Sequence, residues 1–361
     1  MNLNKPKVSV VTVNYNHGKY LEAYIQSLNA SEYPIAEIII VDNNSTDDSL
    51  DILNRYAAQV KVVRNEYNIG YSQALNQAFR LASSQLVCAT GPDVVVEPGW
   101  LKPLVDQYLC DPDSTFVVAS QVYLFDKKTI QSAGGSLHFT GHLTVYDMWK
   151  PGDKDCSDLR QAEVVGAIDS SSALFDQGKF LKIGGCDLSY FVYHEEFDYC
   201  YRARMRGWKC WYQPQSVVYH GSGTVNFSSR HNGEYPAARP YLHTRNRWNS
   251  IIKNYQLRTI IIILPVMLLV ETLNLALLAC NGLHKSYIKA WADLWRNRKE
   301  LFRKRAIIQP TRCLPDSRLL EAGPLTISPV LMDSPFLNRL KILLDGFLSI
   351  YWHAMKFAFY P

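Results

Sequence analysis

The chain has 361 residues, 47% of them apolar and 20% charged, with 17 Pro and 19 Gly. That balance excludes a disordered, collagen-like or coiled-coil chain and suits two or three domains, or one large α/β domain with an appendage. The net charge of +5 is uneven: residues 239–312 hold fourteen Lys and Arg against Glu271, Asp293 and Glu300, so the basic part points to a membrane surface and no nucleic acid is expected.

The first residues run straight into a strand pattern with no apolar signal segment. The eight Cys show no C-x-x-C pair, so a reducing, cytosolic setting is expected, with the cysteines as small buried apolar residues. Val8 to Val13 is a β-branched run ending in the polar turn 14–18, and Leu21, Ile25 and Leu28 mark a helix after it. Glu37 to Val41 is a second strand, closed by the polar run 42–48, with Thr46 or Asp47 as cap for a helix over Ser49–Tyr56. Val60–Val63, a helix over Gly70–Ala82 and Gln85–Thr90 follow. Continuous apolar strands with helical crossovers predict a mostly parallel sheet covered on both faces. Ligands bind such sheets beyond the carboxyl ends of the strands, where the loops 14–18, 42–48 and 90–93 lie. Beyond residue 100 the pattern is mixed: strands over Phe116–Phe125, loop-rich chain over 134–165, a helix over 193–206 and a short strand Val217–His220.

Four constellations can carry chemistry. Asp42 ends an apolar strand and is either a capping residue or an acceptor for a nucleobase or ribose. Asn68-Ile69-Gly70-Tyr71, ahead of a helix, lets backbone N–H groups approach an anion. Asp93 and His220 both follow strands, and a carboxylate, an imidazole and diphosphate oxygens together suit Mg²⁺ or Mn²⁺. In the run 193–202, Glu195, Asp198 and Arg202 share a helix face while Glu196 points elsewhere with Tyr199 and Cys200. These acids stand among aromatic residues, where carboxylates acquire raised pKa values and serve as bases.

The order VSVVTVNYN, VDNNSTDDS, NIGYSQALN, GPDV, GGCDLSYFVYHEEFDYCYRARMRGW and VVYHGSGT resembles the family 2 inverting glycosyltransferases. The extension TRNRWNSIIKNY plus an apolar run is similar to the bacterial rhamnosyltransferase-like branch that assembles surface polysaccharides. The resemblance covers roughly residues 7–305 and implies an α/β GT-A fold, a nucleoside-diphosphate sugar (dTDP-rhamnose or a UDP-sugar), Mg²⁺ or Mn²⁺, and a polyprenyl-diphosphate-linked glycan acceptor. It places the donor at Val13, Tyr15, Asp42, Asn68, Gly70 and Asp93, and the metal at Asp93 and His220. Gly91 stands at the first position of the family's Asp-x-Asp motif, so Asp93 alone remains of it. The family's base falls on Glu196, with Glu195 as the alternative because Glu replaces the usual Asp. Arg202 is either a diphosphate contact or a residue orienting the helix. A catalytically degenerate sugar-nucleotide-binding partner in an assembly complex is the second functional class.

The implied organisation is a GT-A catalytic domain over 1–235, a basic and apolar helical membrane-associated region over 236–310, and a tail over 311–361 with an apolar-aromatic helix. Thr259–Cys280 is about 33 Å long as a helix, enough to span a bilayer. Glu271 near its middle would cost roughly 2.5–3.5 kcal/mol in lipid, and basic residues flank both ends. A helix lying in or re-entering the leaflet is therefore expected, with a buried helix as the alternative. The expected location is the cytoplasmic face of the bacterial inner membrane, peripheral or monotopic.

Overall fold

The computed structural model describes residues 5–152, 161–221, 223, 235–328, 331 and 334–359; Cys156 and Ser222 lie outside the described residues. Strand β1 (Val8–Asn14) leads to α1 (Gly18–Asn29), β2 (Ile35–Asp42), α2 (Ser49–Arg55), β3 (Lys61–Arg64), α3 (Tyr71–Leu81) and β4 (Leu86–Thr90). Next come β5 (Val94–Val96), α4 (Leu101–Cys110), β6 (Thr115–Leu124), β7 (Ile130–Ser132), β8 (Gly135–His138), β9 (Leu143–Val145), β10 (Glu163–Val165) and β11 (Ser172–Asp176). Short α5 (Gln177–Lys182) precedes α6 (Glu195–Arg204) and the long strand β12 (Lys209–His220). The remainder is helical: α7 (Ala238–Asn254), α8 (Leu257–Cys280), α9 (His284–Arg296), α10 (Arg298–Ile308) and, after β13 (Leu320–Glu321), α11 (Pro335–Phe359).

The main sheet runs β10-β12-β6-β11-β4-β1-β2-β3, with β5 against β12 and β7 against β6. Parallel pairs join β1 to β2 and β4, and β2 to β3, while β11 is antiparallel to β4 and β6. Every residue of β1 is buried because both faces are covered. Val11 and Val13 pack with Ala74, Ala78 and Phe79 of α3, whereas Val8 and Val10 pack with Leu21 and Ile25 of α1 and Leu104 of α4. The α/β sheet with helices on both faces agrees with the sequence reading.

Three elements differ from it. The segment 134–165 is not merely loop: β8 pairs with both β9 and β13 in a three-stranded sheet, and β10 joins the main sheet. Strand β12 begins at Lys209, well before Val217; Pro214 interrupts its ladder, where the register shifts between Gln213 and Val217, and hides the continuity from a period-2 reading. Of the cysteines, Cys88, Cys186, Cys200 and Cys210 are buried, but Cys110, Cys280 and Cys313 are exposed.

Helix α7 carries a buried polar stripe, Asn246, Ser250 and Asn254, at fourfold spacing on one face. Lys253, on the adjoining face, bonds Asp198 of α6 at 2.9 Å and also reaches Asp187. Among the described residues α8 is the one helix long and apolar enough to cross a membrane. Its flank of Ile262, Ile263, Val266, Met267 and Val270 is buried, while Leu257, Ile261, Leu264 and Leu268 are exposed. Glu271 faces inward, bonded to Arg247, to Trp248 Nε1 at 2.9 Å and to Tyr287 Oη at 2.7 Å.

Candidate active site

A cleft of about 1010 Å³ opens beyond the carboxyl ends of β1, β4 and β12. It is lined by Val13, Tyr15, Asn68, Asp93, Glu195, Glu196 and His220, so the structure brings together seven of the ten residues picked from sequence. Its size is at the upper end for one small ligand and gives room for two substrates.

Asp93 Oδ1 lies 3.2 Å from His220 Nε2. Burial opposes ionisation of Asp93, but His220, His17 and the Gly223 N–H outweigh it and hold the carboxyl well below the usual range. On the far side of the ring, His220 Nδ1 is 2.9 Å from Gln131 Oε1, whose amide nitrogen donates to Asp169 Oδ2 at 2.9 Å. Asp169 accepts only, so Gln131 turns its oxygen to the imidazole and Nδ1 carries the proton. Nε2 then faces the Asp93 carboxylate, and this contact is favourable only with a proton or a cation between the two. At Gly91 an added Cβ would stand 3.1 Å from Asp93 Oδ1 and 3.8 Å from His220 Nε2, so the glycine keeps this corner open. The pair fits a divalent cation that takes further oxygens from a phosphate. Among the described residues no group of three or more His, Cys, Asp or Glu is placed to hold a metal by itself.

Glu195 and Glu196 open α6, where the helix N-terminus favours negative charge. Burial pushes both carboxyls up, Glu195 well above its ordinary value, with Glu196 beside it adding repulsion. Ser170 Oγ donates to Glu196 Oε1 at 2.5 Å and favours its ionised form. Glu195 and Glu196 thus face one cleft, although a regular helix wheel separates them. The turn that leads into the helix is left-handed at Tyr193 and His194 (φ 73° and 75°). Such residues cost about 1–3 kcal/mol each and persist only when held. Asn246 Nδ2 holds them, donating to Val192 O at 3.0 Å and Tyr193 O at 2.8 Å.

Three predicted residues do not line the cleft. Asp42 is fully buried and accepts from Asn14 Nδ2 (2.8 Å), Ser45 Oγ (2.6 Å) and Ser45 N (3.0 Å), so it ties the two loops beneath the cleft. Gly70 has φ 84° and lies under Phe191, where a Cβ would meet Phe191 O at 2.8 Å. Its N–H is bonded to Asn68 Oδ1 at 2.9 Å. Arg202 is buried with its guanidinium bonded to Asp198, Ile183 O and Gly185 O. The guanidinium thus ties α6 to the backbone of 183–185 and lies off the cleft.

Sequence reasoning missed Gln131, Asp169 and Ser170, which lie in loops or short strands with no periodic signal. It also missed Arg239, His243 and Arg247, which line the cleft at fourfold spacing on α7; that spacing was the available clue.

Residues 9–174 match the family model described as glycosyl transferase family 2. An uncharacterized glycosyltransferase of Haemophilus influenzae is 28% identical over 150 residues, 41% of this chain and 44% of that protein. The N-acetylglucosaminyl-diphospho-decaprenol L-rhamnosyltransferase of Mycobacterium tuberculosis is 25% identical over 236 residues, 58% of this chain and 75% of that protein. The chain thus matches less than half the length of the first relative and three quarters of the second. The mannosyltransferase of Pyrobaculum calidifontis in complex with GDP-Man and Mn²⁺ is similar in fold, with a TM-score of 0.51, 15% identity, and 96% of this chain and 88% of that chain covered. GalNAc-T7 with UDP, GalNAc and Mn²⁺ gives a TM-score of 0.53 at 20% identity over 70% of this chain and 48% of that one. On these grounds residues 9–174 are matched to the glycosyl transferase family 2 domain, and the chain has the GT-A fold.

Proposed function

We propose that the protein is a metal-dependent inverting glycosyltransferase of bacterial surface-polysaccharide assembly. It moves a sugar, rhamnose favoured, from a nucleoside-diphosphate sugar to a hydroxyl of a lipid-linked glycan at the cytoplasmic membrane face. The observation that carries the reading is one cleft holding both the Asp93–His220 pair and the Glu195–Glu196 pair. The similarity to a rhamnosyltransferase named for a diphospho-decaprenol acceptor supports the lipid-linked substrate.

Glu196 is the base: its carboxylate takes the proton of the attacking hydroxyl while Ser170 fixes its position. Glu195, pushed further up, keeps its proton and leaves one negative charge in the pair. Asp93 and His220 would hold Mg²⁺ or Mn²⁺, which when bound offsets the charge growing on the departing diphosphate. Val13, Tyr15 and Asn68 line the donor side of the cleft, and Asp42 and Gly70 shape the loops behind it. A binding partner without catalysis has no use for a buried carboxylate positioned by a serine, which disfavours the second class.

Incubating the protein with a panel of radiolabelled nucleotide sugars, Mn²⁺ and polyprenyl-diphosphate-linked GlcNAc tests the reading. Label should pass to the organic phase, most from dTDP-rhamnose. Label remaining wholly in the donor, with every sugar and metal tried, would refute it.

A further inference from the structure

The cleft does not end at the carboxylates. It continues along α7 and α8 into an apolar groove lined by Leu273 and Leu277 of α8, Leu325 and Ile327 ahead of α11, and Leu340 and Leu344 of α11. Arg239, His243 and Arg247 of α7 line the same cleft, Arg239 and His243 against Tyr193 ahead of the carboxylates and Arg247 against Glu271 of α8. Positions i, i+4 and i+8 put them on one helix face. His194, directly before Glu195, and His142 complete the wall.

Two of these groups lack partners. His194 Nε2 and His243 Nε2 are buried without a hydrogen-bond partner among the described residues. An unmet buried polar atom costs about 1–3 kcal/mol, so such an atom on a cleft wall points to a ligand. Both rings are fixed by stacking, His194 on Phe197 (4.7 Å between centroids) and His243 on Tyr193 (4.6 Å). The Arg239 guanidinium lies over the other ring partner of that stack, 4.9 Å from the Tyr193 centroid. Arg247 is anchored differently, bonded to Glu271 of α8 and to Thr140 O at 3.1 Å, and joins the cluster to the groove. Fixed imidazoles and a guanidinium suit phosphate oxygens, through charge-assisted hydrogen bonds in a site screened from water.

We infer that Arg239, His243 and His194 form a second phosphate subsite, for the diphosphate of a polyprenyl-diphosphate-linked acceptor whose hydrocarbon chain lies between α8 and α11. This rests on the lipid-linked acceptor proposed above. The placement favours the acceptor over the donor. Asp93 and His220 serve the strand ends, while this cluster is tied through Arg247 and Glu271 to the helix whose outer flank is apolar and exposed. The chemistry also follows the order needed for transfer. A glycan bonded to the diphosphate at this wall extends toward Glu195 and Glu196, and the lipid extends the opposite way into the groove.

Binding of soluble probes to the full chain in detergent tests the subsite without needing turnover. Farnesyl diphosphate should bind about 10-fold or more tighter than farnesol, as expected when two or more charge-assisted bonds are added. The double variant Arg239→Gln/His243→Ala should lose that advantage and keep its affinity for farnesol and for dTDP or UDP. Leu277→Glu should weaken farnesol and farnesyl diphosphate alike. Equal binding of farnesol and farnesyl diphosphate by the native chain would overturn the subsite. So would a double variant whose loss falls on the nucleotide, which would assign the cluster to the donor. Inorganic pyrophosphate bound as tightly as farnesyl diphosphate would overturn the lipid headgroup as its occupant. Tight farnesyl diphosphate binding by a chain that transfers no sugar would count against the transferase reading and leave the subsite standing.

Discussion

Ser170 and Glu196 are bonded at 2.5 Å across the cleft, while Glu195, one residue earlier, has a buried Oε2 with no partner among the described residues. One carboxylate is thus positioned and the other only desolvated, which separates a base from a neutral neighbour. Glu196→Gln should lower kcat by about 10²–10⁴ and change donor KM by a few-fold at most. Glu195→Gln should be milder, since it replaces a protonated carboxyl with an amide of the same shape. Steady-state kinetics on both variants decides, and the reverse order of severity would move the base to Glu195.

The same bond sets the pH dependence. Burial raises the Glu196 carboxyl above its ordinary value, and the base works only when ionised. Transfer should therefore fall as pH drops through that raised value, giving an acid limb above the range of an exposed glutamate. Ser170→Ala removes a donor that favours ionisation, so the limb should move to higher pH. A limb that moves down, or stays, in the kcat–pH profile contradicts this arrangement.

Asp93→Asn and His220→Ala should each abolish Mn²⁺-dependent binding of the nucleoside diphosphate and leave metal-free binding weak but present. Isothermal titration with and without EDTA measures the difference. Gln131→Leu should weaken the metal dependence less, because it removes one of the two groups that orient His220, Ser171 Oγ at 3.0 Å being the other, and neither donor atom. Native affinity unaffected by EDTA would remove the metal from this corner.

Much of the fold was legible because β1, β2 and β4 are short apolar runs between helical stretches, a pattern with few parallel-sheet alternatives. Asp93 and His220 were legible because strand ends in such a sheet converge on one edge. The turn into α6 was not, because it has Tyr193 and His194 left-handed in succession, and Tyr gives no hint of positive φ. Asp42 and Gly70 read equally as ligand contacts and as turn residues, because capping loops and phosphate loops share a composition. The charge count misled in part. Lys253, Lys304 and Arg312 make internal ion pairs with Asp187, Asp198 and Asp316, and Arg305 bonds Ile252 O and Tyr255 O, so the basic surface is smaller than the sequence suggests.

Lys253 is buried between Asp187 and Asp198, and Lys304 adds a second cation at Asp187. Burial opposes ionisation of both acids, and the cations outweigh it, holding both below the usual range. Lys253→Met removes the cation the two acids share, leaving Lys304 at Asp187 and Arg202 at Asp198, and should destabilise by about 1–3 kcal/mol in denaturant unfolding. Both acids have depressed folded-state pKa values, so the stability they contribute is present above their unfolded values and lost as pH falls toward the folded ones. The difference between native chain and variant should therefore shrink in acid. A difference that grows in acid would show that the lysine is not what holds these carboxylates ionised.

The exposed apolar face decides where the protein sits. Ile261 and Leu268 of α8, Trp295 of α9, Phe302 of α10 and Leu343 and Ile350 of α11 are each at least 60% exposed, more apolar surface than a water-facing helical layer carries. Glu271 is turned inward to Arg247, so the exposed flank of α8 is free of acids. Arg258, Lys285, Lys289, Arg296, Arg298, Lys299 and Arg303 remain exposed beside this face. Each contributes about 1 kcal/mol near an anionic leaflet, screened within roughly 10 Å at 0.1 M salt. The apolar side chains are insensitive to salt, so the two terms separate experimentally. The native chain should float with anionic vesicles and stay bound in 1 M NaCl, while Ile261→Glu/Leu268→Glu should bind only at low salt. Deleting residues 259–305 should release the protein, but that deletion also removes partners of Arg247 and Asp187, so the double substitution is the cleaner arm. Native protein left in the soluble layer at low salt would overturn the membrane placement and make α8 a helix covered by some other surface.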